Sequence, residues 1–313
     1  MWRCGLVLSK VWRASLANSH HGLGDVIGRF ATISDMHIGD HGFGIFPRVH
    51  PQDDHSSLGE RCARAAVREA REFGADLLIV KGDLTGNSRP AEWVAAAAVI
   101  QEVGMPTLIT VGNHEGGIRI PSFDTLRATA VDAGIHIDAL DTEIAVHDIG
   151  PLRLILADST KPHSEGGRIS HVTEAICSAA RDARATLLLT HHYPQRFNRP
   201  TMLPIGIPGR EAAKFAYSLR QATNNVVWTS GHTHRNRTYQ RHGVTVNEVG
   251  STKDGIGAWG AYTVYEHGLV GETRHISDDW CQEWTAKTRS TLGGIYGRWS
   301  PGTHSDRATE ITW

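Results

Sequence analysis

The stretch Phe30-Ala31-Thr32-Ile33-Ser34-Asp35-Met36-His37 joins an apolar run to a polar cluster with no spacer between them. A run this short, bounded by polar residues, reads as a buried strand. The same construction recurs downstream. Leu77-Leu78-Ile79-Val80-Lys81 leads into Gly82-Asp83, and Thr107-Leu108-Ile109-Thr110-Val111 into Gly112-Asn113-His114-Glu115. Thr186-Leu187-Leu188-Leu189-Thr190 leads into His191-His192-Tyr193-Pro194, and Val226-Val227-Trp228-Thr229-Ser230 into Gly231-His232-Thr233-His234.

Between these runs the spacing of apolar residues predicts helices over 58–73, 90–103, 121–133 and 170–184. The second begins with proline, where a missing N–H does least harm. A further strand is predicted at 152–157. The segments 143–148, 237–240, 244–249 and 261–266 alternate as half-exposed strands do. The alternation of strands and helices predicts an α/β chain, a four-layer α/β/β/α sandwich of two mixed sheets with flanking helices. Residues 1–28 read as an N-terminal extension, 29–276 as the main domain, and 277–313 as a Trp-rich tail that caps, packs on the domain or forms a homodimer contact. Trp280, Trp284, Trp299 and Trp313 in that tail need burial or a partner.

Composition narrows the class. With 313 residues and 40% hydrophobic content, the chain can bury a sizeable core. A net charge of −1 argues against a nucleic-acid partner. Four cysteines, Cys4, Cys62, Cys177 and Cys281, are scattered along the chain and form neither a disulfide framework nor a zinc knuckle. That usage predicts a cytoplasmic location. No apolar run approaches the length of a membrane span. The opening MWRCGLVLSKVWRASLA loosely resembles a secretory signal, but Lys10 and Arg13 interrupt its apolar part.

The polar clusters carry the chemistry. The carboxyl ends of strands are where α/β sheets build their sites, so five clusters at five such ends can converge on one crevice. Carboxylate oxygens and imidazole nitrogens without thiolates suit divalent first-row metals such as Zn, Mn or Fe. Asp35 and His37, like His232 and His234, stand two residues apart, which on extended backbone points both side chains the same way. Each glycine preceding a cluster permits a tight turn or a close backbone approach. Taken singly, each cluster has an ordinary reading as well: a turn, a cap or a satisfied core histidine.

The series DMH, GD, GNHE, HH and GHTH, in this order, resembles the calcineurin-like metallophosphoesterases over roughly residues 30–250. The segments GDLTG, GNHE, LADS and GGRIS resemble the cyclic-nucleotide phosphodiesterase branch of that superfamily. The resemblance implies that Asp35, His37 and His234 hold one metal ion, Asn113, His191 and His232 a second, and that Asp83 bridges both. It implies His191 rather than His192 as the ligand in its pair, and His114 as a catalytic group facing the phosphate or the leaving oxygen. Two divalent ions, two carboxylates and a bridging hydroxide would leave about +1 for an anionic substrate. The implied reaction is in-line attack on a small-molecule phosphate ester, a phosphodiester in first place. A phosphomonoesterase or protein phosphatase, a nuclease and a non-catalytic scaffold remain as alternatives.

Several further residues carry two readings each. Asp158 orients a ligand histidine or forms a strand-end turn with Ser159. Glu115 orients His114 or is a surface carboxylate. His41, His50, His55, Arg119 and Arg168 touch substrate or are simply solvated.

Overall fold

The computed structural model describes residues 22–39, 58–117, 122–196 and 204–313. The opening segment 1–21, His41, His50, His55 and Arg119 lie outside them.

Parallel strands β1 (Val26–Ile33), β2 (Leu77–Lys81) and β3 (Thr107–Thr110) form one flank of the first sheet. Strands β4 (Ile144–Ile149), β5 (Leu152–Ala157), β6 (Ala185–Leu189), β7 (Val226–Ser230), β8 (Arg237–Arg241) and β9 (Val244–Glu248) form the second, in the order β4-β5-β6-β7-β9-β8. Strands β10 (Ala258–Tyr265), β11 (Gly268–His275) and β12 (Ala308–Thr312) return to the first sheet, whose order is β12-β11-β10-β1-β2-β3. Both sheets are mixed. β1 pairs antiparallel with β10, and β4 and β8 are antiparallel edge strands of the second sheet.

The period-two alternation of the central strands explains why two sheets stack. Phe30, Leu77, Ile79, Leu154, Leu156, Leu187, Leu189 and Val227 meet between the sheets in one core. Their chain neighbours point the other way, as successive strand residues must. Ala31, Ile33, Leu78 and Val80 face α1 (Leu58–Glu72), α2 (Pro90–Val103) and, after the short α3 (Asn113–Gly116), α4 (Phe123–Asp132). Ile155, Leu188 and Trp228 face α5 (Thr173–Ala180) and α6 (Gly209–Ala222). The layers therefore run helix, sheet, sheet, helix, as the sequence predicts.

The C-terminal segment packs on the same body. Beyond α7 (Asp279–Arg289) and α8 (Ile295–Trp299), β12 adds a strand beside β11. Its tryptophans find partners within the chain. Trp280 packs against the core beneath α1, and the Trp284 indole donates to Lys253 O at 2.6 Å. Trp299 stacks on Arg235, and Trp313 donates to Glu266 O. Cys62 and Cys281, far apart in sequence, meet as buried thiols where α7 crosses α1. No helix among the described residues is long and apolar enough to cross a membrane.

Candidate metal centre

The carboxyl ends of β1, β2, β3, β6 and β7 lie together, and the polar clusters that follow them share one pocket. Asp35, His37, Asp83, Asn113, His191 and His232 are all buried, and His234 is half-buried. Five of these seven occupy left-handed backbone: Asp35 (φ 55°), His37 (φ 45°), Asp83 (φ 51°), His232 (φ 67°) and His234 (φ 52°). Such conformations cost about 1–3 kcal/mol each for a residue other than glycine and persist only where the surroundings enforce them. Here hydrogen bonds between the loops enforce them. Asp35 N donates to Gly82 O, and His37 N donates to Asp83 O. His232 N donates to both Asp35 carboxylate oxygens at 3.0 Å. Gly231 has no room for a side chain, because a Cβ there would stand 2.5 Å from Asp35 Oδ2 and Ser34 Oγ.

The side chains fall into two groups that share Asp83. In the first, His37 Nε2 and His234 Nε2 lie 3.1 Å apart, and Asp35 Oδ1 is 3.4 Å from His234 Nε2. In the second, His191 Nε2 faces Asn113 Oδ1 at 3.0 Å and His232 Nδ1 at 3.2 Å. Asp83 Oδ2 stands 3.6 Å from His37 Nε2 and 3.2 Å from His191 Nε2, so a single oxygen reaches both groups.

Proton bookkeeping tests whether a metal fits. The His191 Nδ1 donates to Lys81 O at 2.9 Å, which in the neutral ring leaves Nε2 as a lone pair. That lone pair meets the oxygens of Asn113 and Asp83 and a ring nitrogen of His232. In the first group His234 Nδ1 donates to Asp254 Oδ2 at 2.8 Å, so its Nε2 lone pair meets the nitrogen of His37 and the oxygen of Asp35. Acceptors converging on acceptors, with the opposite ring nitrogens tied off by backbone or carboxylate, make the donor set of a cation site.

The electrostatics agree. Burial holds His37, His192 and His232 well below the ordinary imidazole value, so they are neutral. Burial opposes charge on His191 and His234 too, but neighbouring carboxylates outweigh it. Asp83 pushes His191 up to about 9, and Asp254 and Asp35 push His234 up to about 10. In the metal-free protein, protons on these two rings neutralise Asp35 and Asp83, as metal ions would. Burial would raise the Asp35 carboxyl, yet the contact with His234 holds it well below the usual range.

The seven residues named from the sequence are thus brought together. His192 lies beside them, but both its ring nitrogens are engaged, Nδ1 with Ser159 Oγ at 3.0 Å and Nε2 with Glu165 O at 3.2 Å. His114 sits at the rim edge-on to His37, with the two ring centres 4.3 Å apart, and its Nδ1 donates to Gly86 O at 2.7 Å.

Glu115 has neither role weighed for it. It is fully buried and accepts from the backbone N–H of Asp83, Thr85 and Gly112, clamping the β2 and β3 loops together. Burial raises its carboxyl to about 7. Asp158 forms the strand-end turn, accepting from Thr160 N at 2.7 Å and from Asp141 N. Arg168 pairs with Asp141 at 2.7 Å.

Four supporting residues escaped the sequence reading. Lys81 is buried under the site and donates to Ser230 O at 2.9 Å, tying the two sheets together; burial lowers its amine to about 7. Asp254 orients His234. Tyr296, from α8, donates to Asp254 Oδ1 at 3.1 Å and to His234 O at 2.9 Å. Glu165 accepts from Asn113 Nδ2 at 2.6 Å.

The sequence profile described as calcineurin-like phosphoesterase matches residues 28–236. The chain belongs to the calcineurin-like phosphoesterase family. Members of this family are metal-dependent phosphoester hydrolases built on a dinuclear centre, and the His and Asp clusters of this chain could hold such ions. A Psychrobacter arcticus protein named a probable cyclic nucleotide phosphodiesterase is 27% identical over 244 residues, covering 70% of this chain and 78% of that one. A second protein of that name, from Synechococcus, is 23% identical over 175 residues, 55% of this chain and 63% of its own length. A dimetal phosphatase from Danio rerio superposes with a TM-score of 0.60 at 14% identity, covering 80% of this chain and 97% of that one. A purple acid phosphatase from yellow lupin gives 0.56 at 16% identity, over 82% and 52% of the two chains. At these identities the structural likenesses speak to the fold.

Proposed function

We propose that this family member is a dinuclear phosphodiesterase acting on a small-molecule phosphate ester. Asp35, His37 and His234 would hold one ion, Asn113, His191 and His232 the other, and Asp83 would touch both. Metal ions bound there would supply Lewis-acid stabilisation of phosphoryl charge and a lowered pKa for water. The observation that carries this reading is the convergence of buried ligand atoms on two points that share Asp83, with Nδ1 of His191 and of His234 tied off so that Nε2 of each faces the centre, where a metal ion would take the place of a proton.

The remaining work falls to the chain's own side chains. Lys81 O and Asp254 fix the tautomers of His191 and His234, so that Nε2 of each faces the centre. His114 is the acid at the rim. With Nδ1 held by Gly86 O, its Nε2 is the atom that handles the proton, and when protonated it donates to the leaving oxygen. Such help is typically worth ~10²–10⁴ in rate. Neutral Asn113 contributes an oxygen without cancelling positive charge.

The diester preference is supported by the names of the two relatives. It is tested with protein purified without chelator, assayed with added Mn²⁺ on bis-p-nitrophenyl phosphate, p-nitrophenyl phosphate, cyclic nucleotides and a glycerophosphodiester. Diesters are expected to give the larger kcat/KM. A preference for p-nitrophenyl phosphate would make the enzyme a phosphomonoesterase. Fewer than one bound ion per chain together with no turnover would make it a scaffold.

A further inference from the structure

Asn113 offers the centre its amide oxygen, and something must hold the other end of that amide. Glu165 does so, with its Oε2 2.6 Å from Asn113 Nδ2. Among the contacts of Asn113, only this orientation sets a donor against the carboxylate and the oxygen against His191. The residue that carries the carboxylate is exposed, yet its backbone is fixed. Thr160 and Gly167 bridge across the base of the loop, and Arg168 N donates to Ser159 O. Glu165 O accepts from His192 Nε2, and His163 N donates to Gly117 O. An exposed carboxylate, unlike that of buried Asp254, therefore stands one side chain away from the centre.

We propose that Glu165 is a specificity-determining residue, which selects singly charged phosphodiesters over doubly charged phosphomonoesters. The inference rests on the phosphodiesterase reading above and names the group that enforces it. A phosphodiester keeps one negative charge. A monoester has a second ionisation near pH 6 and carries close to two charges at neutral pH. Both present the same phosphoryl oxygens to the metal ions and to His114. They differ in the charge that meets the Glu165 carboxylate: both esters are repelled, and the repulsion is about twice as large for the monoester.

The test compares Glu165→Gln with wild type, because glutamine keeps an oxygen for Asn113 Nδ2 and removes the charge. Measured at pH 8, the ratio of kcat/KM for p-nitrophenyl phosphate to that for bis-p-nitrophenyl phosphate is expected to rise roughly three- to fivefold, the size of an exposed charge–charge effect. The rise should shrink as salt is added, since the interaction lies at the surface. Calorimetry with inorganic phosphate on the metal-loaded proteins should show tighter binding to the variant. Metal content by mass spectrometry should match wild type. An unchanged ratio, or a change that salt leaves intact, overturns the proposal. The shift in ratio is readable whichever ester wild type prefers, so failure of the diester reading and failure of the Glu165 role give different results.

Discussion

Asp35, His37 and His234 all sit on left-handed backbone, whereas of Asn113, His191 and His232 only His232 does. The two groups are supported accordingly. The second leans on near neighbours in the sandwich, since Lys81 O and the rim loop around Glu165 hold His191 and Asn113. The first is braced from the far end of the chain. Ser251 Oγ donates to Asp35 O at 2.8 Å, Asp254 holds His234, and Tyr296 holds Asp254. A strained group needs more surrounding contacts to keep it in place. The loop before β10 supplies Ser251 and Asp254, and the C-terminal segment reaches the site through Tyr296, so that segment belongs to the site's architecture.

Removing what the two groups share should have the largest effect. Asp83→Ala should lose both ions and lower kcat/KM by more than about 10³-fold, because Lewis-acid help is worth several kcal/mol at ~1.4 kcal/mol per decade. Metal content and turnover check it together. A variant that kept two ions would show the groups to be independent and Asp83 not to bridge them.

Proton competition should separate the groups more finely. In chelator-treated protein, His191 titrates near 9 and His234 near 10. Both values lie above the unfolded imidazole value of about 6.5. Their contribution to the stability of the metal-free fold is therefore complete below about pH 6.5 and is lost as pH rises through 9 and then 10. Metal ions must displace both protons, so at pH 7 loading should release about two protons per chain and tighten about tenfold per pH unit for each ion. The rise should level off in the alkaline range, at about pH 9 to 10, once both rings have lost their protons. Calorimetry in buffers of different ionisation enthalpy measures the proton count. A count near zero would show that these imidazoles are neutral before metal arrives.

How far the sequence could be read follows the same division. The strands that build the core were legible because each is a run of apolar residues, and β5, β7 and α2 fall on the predicted residues. The side chains of the centre were legible because each cluster adjoins such a run. Helix α6 was missed because it begins Pro208-Gly209 with no side-chain cap, so nothing marks its start. Strand β12 is five half-exposed residues whose partner, β11, lies across a helical excursion. Asp254 is followed by Gly255, an ordinary turn pair in sequence. Its meaning comes from His234, twenty residues earlier, and from Tyr296, which only the folded chain brings to it. The clamping role of Glu115 was not legible, either as a partner of His114 or as a surface carboxylate, because nothing in a sequence shows that three backbone N–H groups from two loops point at one residue.

Removing the brace tests whether the strained group depends on it. Asp254→Asn keeps the size of the side chain but weakens the hold on His234 Nδ1, and partners of this kind are worth about 10–100-fold in metal affinity. The loss should fall on one of the two ions, leaving a two-step titration in which a single step has moved. Tyr296→Phe removes one hydrogen bond to Asp254 and one to His234 O while keeping the ring in its buried place. A net hydrogen bond is worth about 1 kcal/mol, so the same step should weaken by roughly fivefold. The step belonging to Asn113, His191 and His232 should stay where it is, because neither substitution touches Lys81 O or Glu165. If Tyr296→Phe weakened both ions equally, or lowered thermal stability with no change in either step, the tail would be packing alone and the division between the groups would lose its structural basis.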